Sequence, residues 1–325
     1  MSLETLKPKV AELIKIALNE EGGGEKTVIE YPKFNYTRPS WWLPRPVLSN
    51  NAREVWLLHE VEADVTEYNG IDFSTAEILP NGKKQAWERI TNIISNVNGY
   101  FVISSTYNGT RFPYAVEIIL NSDAPINFNY RYQKQDFQKL QIITGTALDI
   151  GNYLNDGFKD SYSLKMIDCP VVLGKNNDIG LFMNTAIEKA PENITSNNAR
   201  IPNIYRNCKQ LVDGGYVNGI NMTNAFDGCE RLTKVTLGSA CAGITTSTFT
   251  NCINLEDITV EKGFNCSLYI HHSTKYTTET LHAIIENYAD MTGQTAPTFQ
   301  VGETNLEKID DEHKAMLEAK NINYL

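Results

Sequence analysis

Five histidines and six cysteines are the side chains of this sequence best suited to hold a metal ion or act as nucleophiles. A protein zinc site normally draws His and Cys from short fixed spacings, such as C-x-x-C or H-E-x-x-H, so that one turn of chain presents two ligands together. Neither pattern occurs. The nearest approach is His271-His272 with His282. Adjacent residues of a strand point to opposite faces, so one ion would hardly take both. The glycine run Glu21-Gly-Gly-Gly-Glu25 is acidic and follows a predicted helix, whereas a phosphate loop follows a strand. The G-x-S-x-G nucleophile elbow is absent. Asn155-Asp-Gly-Phe-Lys-Asp160 lacks the spacing of a calcium loop and reads as an ordinary turn. No carboxylate pair is singled out by context, although a glycosidase pair drawn from distant positions stays open. The expectation is no catalytic residue, no metal ligand and no cofactor.

The cysteines suggest another use. Cys169, Cys208, Cys229, Cys241, Cys252 and Cys266 all lie in the second half. Three of them recur in one pattern: Tyr205-x-x-Cys208-x-x-Leu211, Phe226-x-x-Cys229-x-x-Leu232 and Phe249-x-x-Cys252-x-x-Leu255. The last two units continue in step to Val235-Thr-Leu237 and Ile258-Thr-Val260. A recurrence of this length predicts stacked units, each burying its apolar face on the next. Equivalent cysteines then lie one above another as small buried thiols, in preference to disulfides or a metal site. Worn copies precede the clear ones: Phe182-Met-Asn-Thr185, and a shorter turn from Tyr162 through Leu164 to Cys169.

Around this region the sequence predicts three further segments. Residues 1–25 hold a short amphipathic helix over 8–20, with Val10, Leu13, Ile14, Ala17 and Leu18 on one face, and then the flexible glycines. Two readings stand for that face: docking on the next domain, or oligomerisation and anchoring. Residues 26–135 read as a β-rich domain with strands at Thr27–Tyr31, Val55–Thr66, Tyr100–Ser105, Tyr114–Leu120 and Ile126–Tyr132. A helix is predicted within it, over Lys84–Ser95. Arg38-Pro-Ser-Trp41-Trp42-Leu-Pro44-Arg-Pro46 is held extended by its prolines and carries two large apolar rings. It is either a strap pinned across the domain or an exposed aromatic platform. Residues 136–273 form the repeat region. Residues 274–325 predict helix–strand–helix–strand: a first helix from Thr277, Thr298–Val301, a second helix from Asp310 or Asp311, and Ile322–Leu325. That arrangement suits a cap extending the repeat sheet over its open edge.

The repeated units resemble the BspA-like bacterial leucine-rich repeats, whose units share aromatic-x-x-Cys/Asn-x-x-Leu-x-x-Ile/Val. The tail from Thr278 and the Arg38–Pro46 element look like segments attached to such repeats in Gram-positive gut bacteria and their phages and prophages. The resemblance implies a short, irregular leucine-rich repeat solenoid between a β-rich domain and an αβαβ cap, within an α+β, β-rich fold. It also implies a protein-interaction or adhesion role without enzymatic activity.

The charge of −10 over 325 residues, without any basic cluster, argues against nucleic acid as a partner. No apolar run is long enough to cross a membrane, and residues 2–21 are too often charged for a secretory signal. The expected partners are other proteins, either virion neighbours or a host surface protein or glycan. A homo-oligomer or a larger assembly is expected, placed in a virion or at a cell surface. Trp41 and Trp42 are the candidate interaction surface, and the nine repeat residues named above are expected to be structural.

Overall fold

The computed structural model describes residues 37–49, 53–91, 93–95, 101–103, 113–127, 137–151, 157–173, 180–191, 194–195 and 200–325. The predicted helix over 8–20, its five apolar residues and the strand Thr27–Tyr31 lie outside them. The chain is α+β, with nineteen strands and three helices among the described residues.

The first sheet has five strands, in the order Met166–Asp168, Ile142–Gly145, Ala115–Asn121, Glu54–Glu62, Lys83–Ile90. Glu54–Glu62 pairs antiparallel with both neighbours, whereas the first three strands of that order run parallel. The register slips between Leu58, which faces Glu117, and His59, which faces Ala115. Val116 is therefore an extra residue. A bulge of this kind re-aims side chains, and Glu117 ends up opposite Leu58.

The helix expected over Lys84–Ser95 is not formed: the segment makes strands Lys83–Ile90 and Ile93–Ser95. The apolar spacing fits a helix, but pairing outweighs it. Lys83–Ile90 is matched to Glu54–Glu62 residue by residue, from Glu62↔Lys83 to Val55↔Ile90. Its buried polar groups find partners there. Gln85 Nε2 donates to Glu60 Oε2 at 2.8 Å, and Glu88 Oε2 lies 2.9 Å from His59 Nε2. A helix would strand both groups away from these partners.

A second sheet takes the order Ile194–Thr195, Val171–Leu173, Leu148–Gly151, Ile126–Asn127, Phe101–Ile103, Ile93–Ser95, parallel except for its last pair. Both sheets, and one hydrophobic core reaching from Val55 to Ile322, run across the expected boundary at residue 135. A third sheet stacks Asp213–Val217, Lys234–Leu237 and Asp257–Val260 in parallel.

Opposite these strands the chain makes a stack of turns. Phe158, Phe182, Tyr205, Phe226 and Phe249 lie ring on ring, with successive centroids 6.0, 5.6, 5.5 and 5.4 Å apart. Phe137 leans on the first at 4.9 Å. The aromatic place in the early turn therefore belongs to Phe158; Tyr162, four residues on, is 64% exposed. Each turn hydrogen-bonds to the next in one register. Tyr205 N donates to Ala225 O and Phe226 N to Thr248 O, both at 2.9 Å. Two residues after each ring the backbone is left-handed: Asp160 (φ 62°), Asn184 (62°), Asn207 (58°), Gly228 (77°) and Asn251 (62°). Only Gly, Asn and Asp enter that region at low cost, which explains the residue types at this place.

The cap opens with α1 (Thr278–Asn287), where Thr277 Oγ1 accepts from Thr280 N at 3.1 Å. A short α2 (Glu303–Leu306) was not expected; α3 (Asp311–Ala319) is capped by Asp310. The cap strands do not extend the repeat sheet. Leu268–Tyr269, Thr298–Gln300 and Asn323–Tyr324 form a parallel sheet of their own. The edge strand Asp257–Val260 is met by α1 instead, and Asn287 Nδ2 donates to Val260 O at 3.0 Å.

Candidate interaction surfaces

The two tryptophans of the proline-rich segment part company. Trp42 is 5% exposed and packs with Leu58, Val116 and Ile142, whereas Trp41 is 47% exposed. The segment is a strap over the outer face of the first sheet. Leu43 N donates to Gln85 Oε1 at 3.1 Å, and Trp87 Nε1 donates to Pro44 O at 2.9 Å. Both carboxylate oxygens of the fully buried Glu117 are held, Oε2 by Arg38 and Oε1 by Arg45, each at 2.7 Å. The Arg38 guanidinium also lies 5.4 Å from the Trp42 ring centroid, within cation–π range. The strap therefore fixes Trp41 on a rigid sheet as a single exposed ring.

The third sheet offers a different surface. Lys189, Asp213, Lys234 and Asp257 align in register across four successive turns, alternating in sign. Lys234 Nζ lies 3.3 Å from Asp213 Oδ2. Burial raises the Asp257 carboxyl above its usual range, Lys234 opposes that, and Glu256 and Asp213 add to it. A second row runs Tyr216, Thr236, Thr259. Burial, with the charge of Glu261 beside it, pushes the Tyr216 hydroxyl up to about 12. Glu261 Oε2 also accepts from Ser239 N at 2.9 Å. This face is polar and half-buried, and its side chains differ from turn to turn.

The nine repeat residues are core. Tyr205, Cys208, Leu211, Phe226, Cys229, Leu232, Phe249, Cys252 and Leu255 are each at most 1% exposed. The thiols have a defined job. Cys208 Sγ donates to Phe182 O, Cys229 Sγ to Tyr205 O and Cys252 Sγ to Phe226 O, at 2.9, 3.1 and 3.1 Å. The N–H groups of Phe158, Phe182, Tyr205 and Phe226 serve the next turn, and the thiol supplies the donor that its predecessor's carbonyl needs. In the worn copy Thr185 donates instead within its own turn, to Phe182 O at 2.9 Å. A second thiol pair, missed by the aromatic pattern, links Cys241 Sγ to Val217 O at 3.2 Å and Cys266 Sγ to Cys241 O at 2.6 Å. All six cysteines are free, and burial raises every thiol, Cys208, Cys169 and Cys266 to about 12 and Cys241 to about 11. Nucleophilic and metal-binding cysteines need the opposite shift.

The histidines do not pair as the sequence suggested. His271 and His272 lie in a turn, with ring centroids 4.1 Å apart, so the opposite-face argument does not apply to them. His282 stacks instead on His313. Asp160, in the acidic turn, accepts from Asn184 Nδ2 through Oδ1 at 2.5 Å, which makes it part of the stack.

No family model, curated protein or solved structure matches this chain. No helix among the described residues is long and apolar enough to cross a membrane.

Proposed function

We propose that this chain is a non-enzymatic interaction protein, a BspA-like leucine-rich repeat solenoid serving as a structural or host-binding component of a phage or prophage particle. One observation carries the solenoid reading: five aromatic rings stacked at 5.4–6.0 Å, with a left-handed residue at the same place in each turn and a thiol donor at the same place in the last three. Such an array spends its repeated residues on stability and leaves the varying ones on the surface for partners. The buried, raised thiols favour a binding role over nucleophilic chemistry at the repeats.

The placement in a particle rests on the likeness of the Arg38–Pro46 strap and the tail to segments of phage and prophage proteins. Trp41 on its rigid strap and the alternating charge row are the two surfaces assigned to partners. An exposed ring on a fixed backbone suits a protein or glycan contact, because little entropy is lost on binding.

Mass spectrometry of particles purified from the strain that encodes the chain tests this reading. The chain is expected at a constant ratio to the tail proteins. Recovery in the cell envelope alone would assign it to a cell-surface adhesin instead.

A further inference from the structure

We propose that the cap carries a binding site for a divalent transition-metal cation, of which Zn²⁺ is the best match, formed by His282, Asp310 and His313. One donor atom from each residue lies within 4.8 Å of the other two. The three come from two elements. His282 projects from α1, His313 from the first turn of α3, and Asp310 is the residue that caps α3. Leu281, Ile284 and Ile285 of α1 and Leu317 of α3 are buried in the same core, so the two helices are held in place.

Two of the donor atoms, Asp310 Oδ2 and His282 Nε2, have no hydrogen bond among the described residues and face each other. Asp310 Oδ1 is occupied, accepting from His313 N at 2.9 Å and lying 2.7 Å from His313 Nδ1. That leaves Oδ2, which faces His282 Nε2 at 3.7 Å. His282 Nε2 is buried and has no hydrogen-bond partner, an arrangement that costs stability unless something coordinates the nitrogen. Metal–ligand bonds of about 2.0–2.2 Å set donors of a tetrahedral site roughly 3.4 Å apart, close to the 3.7 Å found. The two imidazoles lie against each other at 3.5 Å between centroids, 16° from parallel. Coordination requires the rings to turn out of this stack, so that one nitrogen of each points at the ion.

His313 has an acceptor on either side. Nδ1 faces Asp310 Oδ1, and Nε2 lies 3.7 Å from Glu286 Oε1. Whichever nitrogen coordinates, the other faces a carboxylate that fixes its tautomer and raises its basicity. Two imidazoles with one carboxylate suit Zn²⁺, Ni²⁺ or Cu²⁺; Mg²⁺ and Ca²⁺ require mostly oxygen ligands. The bound ion would tie α1 to α3 and stiffen the end of the chain that closes the stack. This inference does not depend on the proposed function.

The test uses the full chain, first treated with EDTA. Titration calorimetry with ZnCl₂ is expected to give one equivalent bound, with a raised melting temperature and no response to MgCl₂. His282→Gln and His313→Gln are each expected to weaken Zn²⁺ binding about tenfold or more. The double variant His271→Gln/His272→Gln is expected to bind as the parent does. Co²⁺ substitution is expected to give the visible absorption of a tetrahedral site, lost in His313→Gln. No saturable Zn²⁺ binding by the parent chain would overturn the proposal. So would binding that His282→Gln and His313→Gln leave unchanged while the His271/His272 variant abolishes it.

Discussion

Arg38 reaches Glu117 across 79 residues of sequence and meets its buried carboxylate at 2.7 Å. Arg45 holds the other oxygen from a more exposed position, with 43% of its side chain open to solvent. Removing Arg38 leaves Oε2 of this buried carboxylate without its partner and only the more exposed Arg45 to offset its charge. Arg38→Ala is therefore expected to lower stability by about 2–4 kcal/mol, and Arg45→Ala by less than about 1 kcal/mol, because solvent screens the half-exposed Arg45 and Arg38 stays on the carboxylate. Urea unfolding followed by tryptophan fluorescence measures both. Equal losses would mean that the strap is not pinned through Arg38.

The adjacent tryptophans separate packing from recognition. Trp42→Ala empties the small core with Leu58, Val116 and Ile142 and is expected to cost about 3–5 kcal/mol. Trp41→Ala removes a half-exposed ring and is expected to leave the unfolding midpoint within about 0.5 kcal/mol of the parent. Its loss should appear in binding to the partner. Strong destabilisation by Trp41→Ala would contradict its assignment to the surface.

Asn207 and Gly228 sit on neighbouring turns at the same left-handed place. A Cβ at Gly228 would lie 2.5 Å from Asn207 Oδ1. Gly228→Ala thus combines backbone strain of about 1–2 kcal/mol with a clash. In an Asn207→Ala background the clash disappears and the strain remains. A double-mutant cycle is expected to give a coupling of about 0.5 kcal/mol or more, the double variant losing less than the sum. Additive losses would place the two residues out of contact.

The buried thiols predict how stability responds to alkali. Cys208, Cys169 and Cys266 are held near 12 and Cys241 near 11, against the usual 9.0. Between those values the unfolded chain has released thiol protons that the folded chain keeps, so raising the pH favours unfolding. Stability is expected to be full below pH 9 and to fall as the pH rises toward 11–12. Each thiol adds up to about 1.4 kcal/mol per pH unit in that window. Buried Tyr205, Tyr276 and Tyr288, also raised, add to the fall above pH 10. Urea midpoints at pH 8, 9 and 10 check the slope, which Cys208→Ala should flatten. A midpoint independent of pH over this range would contradict the buried-thiol assignment.

Much of the stack was legible because aromatic, cysteine and leucine recur at fixed offsets, and each is chosen for burial. The cap helices were legible from Thr277 and Asp310, whose side chains mark helix starts. The left-handed position was not, since Asp160, Asn184, Gly228 and Asn251 share a backbone angle while differing in chemistry. Phe158 does not stand out as the ring of its turn because Ser161 takes the place of cysteine there. The strand Lys83–Ile90 is not legible because its cross-strand partners, invisible in one sequence, decide its conformation. The His282–Asp310–His313 cluster could not be read from spacing, because two helices bring together residues 28 and 31 positions apart.

The most direct test of the central claim, that this chain is a particle component whose core is inert and whose surfaces bind, is immunogold electron microscopy. Particles purified from the encoding strain would be labelled with antibody against the full chain. Gold is expected at one end of the particle. Unlabelled particles beside labelled intact cells would contradict it.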